Sequence, residues 1–222
     1  MKQNKVYKMT TFTCFYINSG DLEKVKSVIL SLLEGFDCTI ERDVEGLPSC
    51  LGQKINTALP SCLLIGKCEP EWIVIHYNNF SSLESWMKEL SRVFDAYAMV
   101  TIYDSISMYA YLGIYKSGQK IREIDSGDVD KDGKDIEGVN FGEKLDFESE
   151  QPGISFKRFD GETSYYFDDE SIILYAKHFG LNVEADHSDV NWTLIRVKRG
   201  GAEEHRLSLE AKRSIKPWWR FW

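Results

Sequence analysis

Asp128, Asp130 and Asp132 alternate along GDVDKDGKDIEG, residues 127–138, and Gly133 follows at once. Alternating carboxylates before a glycine suit a hard cation such as calcium, which gathers about six to eight oxygens from a sharply turned loop. The helix–loop–helix version of that loop begins on an aspartate, as here, but ends on a bidentate glutamate at its twelfth position. Counted from Asp128 that position is Val139, and Glu137 arrives two residues early. The residues before the loop have the pattern of a strand ending at Ile124, and no helical period follows. Both facts argue against an EF-hand. A weak calcium loop of another kind stays open beside the simpler reading, a solvated loop in which Asp and Gly favour turns.

Other chemistry finds little support in residue spacing. The four histidines stand apart: His76 in an apolar strand, His178 in a helical stretch, His187 in ADHSD and His205 in a polar loop. Asp186, His187, Ser188 and Asp189 are neighbours in sequence, but a catalytic triad is a spatial arrangement. GxxxxGK[ST], GxGxxG and GxSxG are absent, which removes the common phosphate-cradling loops and the nucleophile elbow. The cysteines at 14, 38, 50, 62 and 68 include no CxxC pair and read as buried or idle thiols rather than a zinc site. No catalytic residue, metal or cofactor is assigned. For an enzyme, the candidates would be Asp104, His76 and Glu148, because they fall near strand ends.

Charge is distributed unevenly. Residues 125–150 hold ten acids and three lysines, a local charge of −7 within a chain whose net charge is −8. Residues 193–222 carry eight Lys/Arg against three Glu. A globally acidic chain argues against non-specific nucleic-acid binding. The acidic stretch, with Asp128, Asp130, Asp132, Asp135 and Glu137, is the candidate binding face for a basic protein partner. The tail SIKPWWRFW places Trp218, Trp219 and Trp222 beside Arg220, and large aromatics of this kind are expected to dock on the core or on a partner. No apolar run approaches the roughly 20 residues of a membrane helix, and the N-terminus lacks the apolar core of a signal peptide. A cytoplasmic protein with no membrane partner is expected.

The elements that must carry these residues are legible from periodicity. Residues 9–17 alternate as a strand, and Leu22, Val25, Ile29, Leu32, Leu33 and Phe36 form the stripe of an amphipathic helix before a strand at 38–42. Residues 43–60 are irregular. SCLLIGK and WIVIHYN flank CEPE as a hairpin. In SSLESWMKELSRVFDAY, Ser81 and Glu84 have the spacing of a capping box, and Leu83, Trp86, Met87, Leu90, Val93, Phe94 and Tyr97 trace one face. AMVTIY, ISMYAYLGIY and KIREI read as three strands, the last two joined by a KSGQ turn with Gly118 at positive φ. Residues 125–153 have no period. A helix is expected at 169–179, capped by Asp168 or Asp169, and a late strand at 192–199. The sum is an α+β fold, an antiparallel or mixed sheet with amphipathic helices packed on it. It is expected as one unit of two β-α-containing halves, 1–124 and 154–222, joined by the acidic loop 125–153.

From Trp72 to Glu148 the chain resembles a loose set of uncharacterised bacterial cytosolic proteins. The likeness is carried by Trp72, the 81–97 helix, DSIS at 104–107, Tyr111 and Tyr115 with Gly118 and Arg122, and GEKLDFE at 142–148. It implies no activity. The chain is similar in a more general way to immunity proteins of bacterial toxin systems, acidic α+β proteins that bind and block a toxin. The expected function is therefore a non-enzymatic, immunity-like protein-binding module. The alternatives are a small-molecule binder or enzyme of unknown substrate, and a weak calcium-binding module.

Overall fold

A computed structural model of the chain describes residues 11–52, 54–55, 57, 59–129, 135–136, 138–148, 152–185 and 190–198. Within them the elements run β1 (Thr11–Asn18), α1 (Leu22–Leu32), β2 (Cys38–Val44), β3 (Cys62–Glu69), β4 (Trp72–Tyr77), α2 (Glu84–Phe94), β5 (Tyr97–Asp104), β6 (Tyr109–Lys116), β7 (Gln119–Asp125), β8 (Asp128–Val129), β9 (Asp135–Ile136), β10 (Asn140–Gly142), β11 (Ile154–Lys157), β12 (Thr163–Tyr166), α3 (Asp169–His178) and β13 (Trp192–Val197). Nine of the strands form one sheet in the order β10-β7-β6-β5-β1-β4-β3-β13-β2. Every neighbouring pair is antiparallel. The fold is thus α+β on an antiparallel sheet.

The sheet is covered on both faces, which is why its middle strands read as nearly unbroken apolar runs. Successive strand residues point to opposite faces. Phe15, Ile17, Ile73, Ile75, Val100 and Ile102 join Val25 and Ile29 of α1 and Trp86, Met87 and Leu90 of α2 in one core. Tyr16, Leu64, Val74, Met99, Leu112 and Ile114 join Ile172, Tyr175 and Ala176 of α3 in the other. Trp192 lies across Gly66 of β3: a Cβ there would meet its ring at 2.6 Å and Val190 at 2.4 Å. That close approach requires glycine.

The helix ends follow local chemistry, with one departure. The Asp168 carboxylate accepts from the Ser171 amide at 2.9 Å, the expected N-cap. The capping box expected of Ser81 and Glu84 does not form. Leu83 turns into the left-handed region (φ 47°, ψ 42°) and buries its side chain, so α2 starts at Glu84 with no side-chain cap. The Ser81 hydroxyl accepts instead from the Leu83 amide, and Glu84 is drawn to Lys88 and to Lys120 of β7. Burial of Leu83 and the two lysines outcompete the local cap.

The cysteine expectation is also corrected. Cys50, in a short 3-10 turn at Ser49–Leu51, is disulfide-bonded to Cys62 at the start of β3, with Cα atoms 6.4 Å apart. Chain folding brings together two residues whose spacing carried no pairing signal. Cys14, Cys38 and Cys68 are free. With two of the five thiols bonded, cysteine usage does not argue for a reducing compartment. Among the described residues no helix is long and apolar enough to cross a membrane.

Candidate functional site

Arg122 of β7 faces the α3 layer and is completely buried. A guanidinium taken out of water needs partners for its charge and its planar fork of donors. Its Nε donates to Glu148 Oε1 at 2.8 Å and its Nη2 to Glu148 Oε2 at 2.6 Å. Its Nη1 donates to Asn140 Oδ1 at 2.8 Å and to the Phe141 carbonyl at 2.7 Å. Glu148 is equally hidden and accepts in addition from the Leu145 amide at 3.1 Å. Burial alone would push its carboxyl up, but the Arg122 hydrogen bonds outweigh this and hold it below the usual carboxylate range. The Phe147 ring meets Tyr175 of α3 at 4.9 Å. One buried side chain in the sheet therefore grips the returning chain at residues 140, 141 and 148.

The outgoing side is closed as tightly. Asp125 ends β7, and its Oδ1 accepts from the Gly127 and Val139 amides at 2.8 and 3.0 Å. Its own amide donates to the Val139 carbonyl at 3.0 Å. A Cβ on Gly138 would lie 2.6 Å from the Gly127 nitrogen, so the two limbs of the excursion leave the sheet side by side. Beyond this neck β8 and β9 pair as a hairpin, Asp128 opposite Ile136 and Val129 opposite Asp135. The segments flanking residues 130–134 are therefore strands, not the helices of an EF-hand. Asp130, Asp132 and Glu137 lie outside the described residues, as do the 186–189 stretch and the tail with Trp218, Trp219 and Trp222.

Beside the neck, the sheet's edge offers an aromatic knob among charges. β10 is exposed along its length, and Phe141 is 52 % exposed, with Val139 next to the neck 41 % exposed. Two hollows of about 470 Å³ flank Phe141, one lined with Lys144, Leu145 and His178, the other with Glu84, Lys88 and Glu123. Lys120 lines both, and its ammonium is held by Glu84 at 2.7 Å and Glu123 at 2.8 Å.

The three residues proposed for an enzyme do not converge. Asp104 caps the β5–β6 turn, accepting from the Ser107 hydroxyl at 2.8 Å. His76 pairs across to Cys14, while Asp104 pairs with Thr11 two strands away, a separation of roughly 14 Å on strand spacing. Glu148 is taken up by Arg122. The His76 Nδ1 lies 2.9 Å from the Cys14 sulfur, which has the outline of a thiol–imidazole dyad. Yet Cys14 is 1 % exposed, and burial pushes its thiol up to about 12. A shielded, protonated thiol is not a nucleophile. Among the described residues no group of three or more His, Cys, Asp or Glu is gathered as a metal site would require.

Residue patterns did not mark Lys54, which penetrates to the same region from the irregular 43–60 stretch. Without a helical or strand period there, nothing distinguished its side chain from a solvated one. Comparison with protein-family models, with curated proteins and with solved structures gives no match. The residues that carried the resemblance to bacterial cytosolic proteins have structural roles. Arg122 and Glu148 form the clamp, the Tyr111 hydroxyl donates to Glu123 at 2.7 Å, and Gly118 turns the β6–β7 hairpin at φ +83°.

Proposed function

We propose that the protein is a non-enzymatic, immunity-like binding module that meets a basic protein partner with its acidic arm and the adjoining edge of the sheet. The observation that carries this reading is the Arg122 clamp. It roots a segment with a local charge of −7 to a rigid sheet, beside an exposed phenylalanine. A fixed negative arm speeds encounter with a positive surface and selects among partners, while an aromatic anchor at its base supplies contact energy. Asp128, Asp130, Asp132, Asp135 and Glu137 supply the field in this reading, and Phe141 the anchor.

The test immobilises the full chain and measures capture of basic proteins from its own cell lysate across salt concentrations. Wild type is compared with the Asp128→Asn, Asp130→Asn, Asp132→Asn, Asp135→Asn variant and with Phe141→Ser. Capture at low salt is expected to fall about tenfold in the neutralised variant, because screening and neutralisation remove the same attraction. Phe141→Ser is expected to weaken capture at every salt concentration. Equal capture by all three proteins would defeat the proposal.

A further inference from the structure

Lys54 enters a cavity where the start of β1 and the end of β4 meet the Ser49–Leu51 turn. Its Nζ donates to Thr13 Oγ1 at 2.6 Å and to the Tyr77 carbonyl at 3.0 Å. An ammonium carries three donors, so these neutral partners leave one N–H uncommitted. Among the described residues no carboxylate forms an ion pair with Lys54. A cation withdrawn from water in this way calls for a counter-charge. Cys14, which acts on Lys54 electrostatically, is held as the neutral thiol and supplies none. Burial lowers the lysine to about 8, so at neutral pH it is still mainly charged.

The space before this ammonium has a volume of about 250 Å³, with Phe12, Leu47 and Leu51 on its apolar side and Thr13 and His76 on its polar side. That lies below the roughly 300–1,000 Å³ of sites for drug-sized ligands, and it suits a molecule of few heavy atoms. The wall is preformed, because the Ser49–Leu51 turn that carries Leu51 is tied to β3 through Cys50 and Cys62. A preformed wall lowers the ordering cost of binding.

We propose that this cavity binds a small organic carboxylate, one carboxylate oxygen taking the free Lys54 N–H and the apolar body lying against Phe12, Leu47 and Leu51. The proposal uses none of the residues of the acidic arm, which leaves the sheet from β7, three strands away from β1. The bland alternative gives Lys54 only the task of tying β1 to β4.

Calorimetry on the full chain separates the two, with benzoate and inorganic phosphate as probes. Benzoate is expected to bind at least about tenfold more tightly than phosphate, and Lys54→Met to weaken it about tenfold or more. Leu47 is half exposed, so Leu47→Trp is expected to leave thermal unfolding unchanged while filling the cavity and abolishing binding. If Lys54→Met fails to fold, the Leu47→Trp result decides alone. No benzoate binding up to about 10 mM, a level at which even a weak site of millimolar Kd is occupied, would overturn the proposal. So would unchanged affinity in Leu47→Trp, or phosphate binding as tightly as benzoate.

Discussion

Cys14 and Lys54 act on each other electrostatically and respond to pH in opposite senses. The Lys54 ammonium is lowered by burial from 10.5 to about 8. Above that pH the unfolded chain binds more protons at this residue than the folded one, so its contribution to stability rises from about pH 8 to 10.5. The Cys14 thiol is raised by burial from 9.0 to about 12. There the folded chain holds the proton that the unfolded chain releases. The stability Cys14 contributes is complete below pH 9 and is lost as pH climbs toward about 12. Cys68, raised to about 11 mainly by burial, acts in the same direction as Cys14. Replacing Cys14 with alanine removes one of these opposing slopes. Urea unfolding between pH 9 and 10 should show stability changing with pH more positively in Cys14→Ala than in wild type, by about 1 kcal/mol per pH unit. Parallel pH profiles for the two proteins would show that the thiol already titrates normally in the fold.

At the scale of elements, a buried ion pair reinforces the β10–β7 pairing that returns the chain to the sheet. Arg122→Met leaves the Glu148 carboxylate without its bidentate partner, and Glu148→Met leaves a hidden guanidinium. Each single change is expected to cost about 3–5 kcal/mol, whereas replacing both with apolar residues leaves no orphan charge and costs much less. Denaturant unfolding of the two single variants and the double variant gives the coupling directly, and additive losses would show that the pair is not a unit. This clamp illustrates what could and could not be read from residues alone. The three helices were legible because Val25 and Ile29, Trp86, Met87 and Leu90, and Ile172, Tyr175 and Ala176 recur at helical steps and are the residues the structure buries. Short apolar runs bounded by turn residues likewise revealed the central strands. Arg122 and Glu148 were visible as motif positions, but their contact spans 26 residues of aperiodic chain. The failed cap on α2 has the same origin, since Lys120 competes for Glu84 from 36 residues away. Lys54 and Cys50, the partner of Cys62 in β3, were hidden because the 43–60 stretch carrying them has no period.

Across the whole molecule, the order of strands was the least legible feature. β13 comes from the far side of the acidic segment and yet pairs with both β2 and β3, a partner choice that side-chain alternation does not specify. The sheet therefore joins the beginning and the end of the described chain without using the excursion between β7 and β10 as a bridge of packing. That arrangement makes the excursion separable from the core. Gly127 and Gly138 approach so closely that a Cβ on Gly138 would sit 2.6 Å from the Gly127 nitrogen, and joining them directly removes Asp128–Glu137, with its five acids and two lysines. Asp125 keeps its bond to the Val139 amide, and Arg122 keeps Asn140, Phe141 and Glu148 in place. Shortening a surface loop by this amount changes closure entropy by only about 1 kcal/mol or less. The shortened protein is expected to unfold in one cooperative transition, with a midpoint within a few degrees of wild type, a shift of the size such an energy produces, while losing capture of a basic partner. Calorimetric unfolding and the capture assay on the same preparation check the two halves of that expectation separately. A shortened chain without a cooperative transition would place the arm inside the folding unit, and undiminished capture would move the binding surface elsewhere on the molecule.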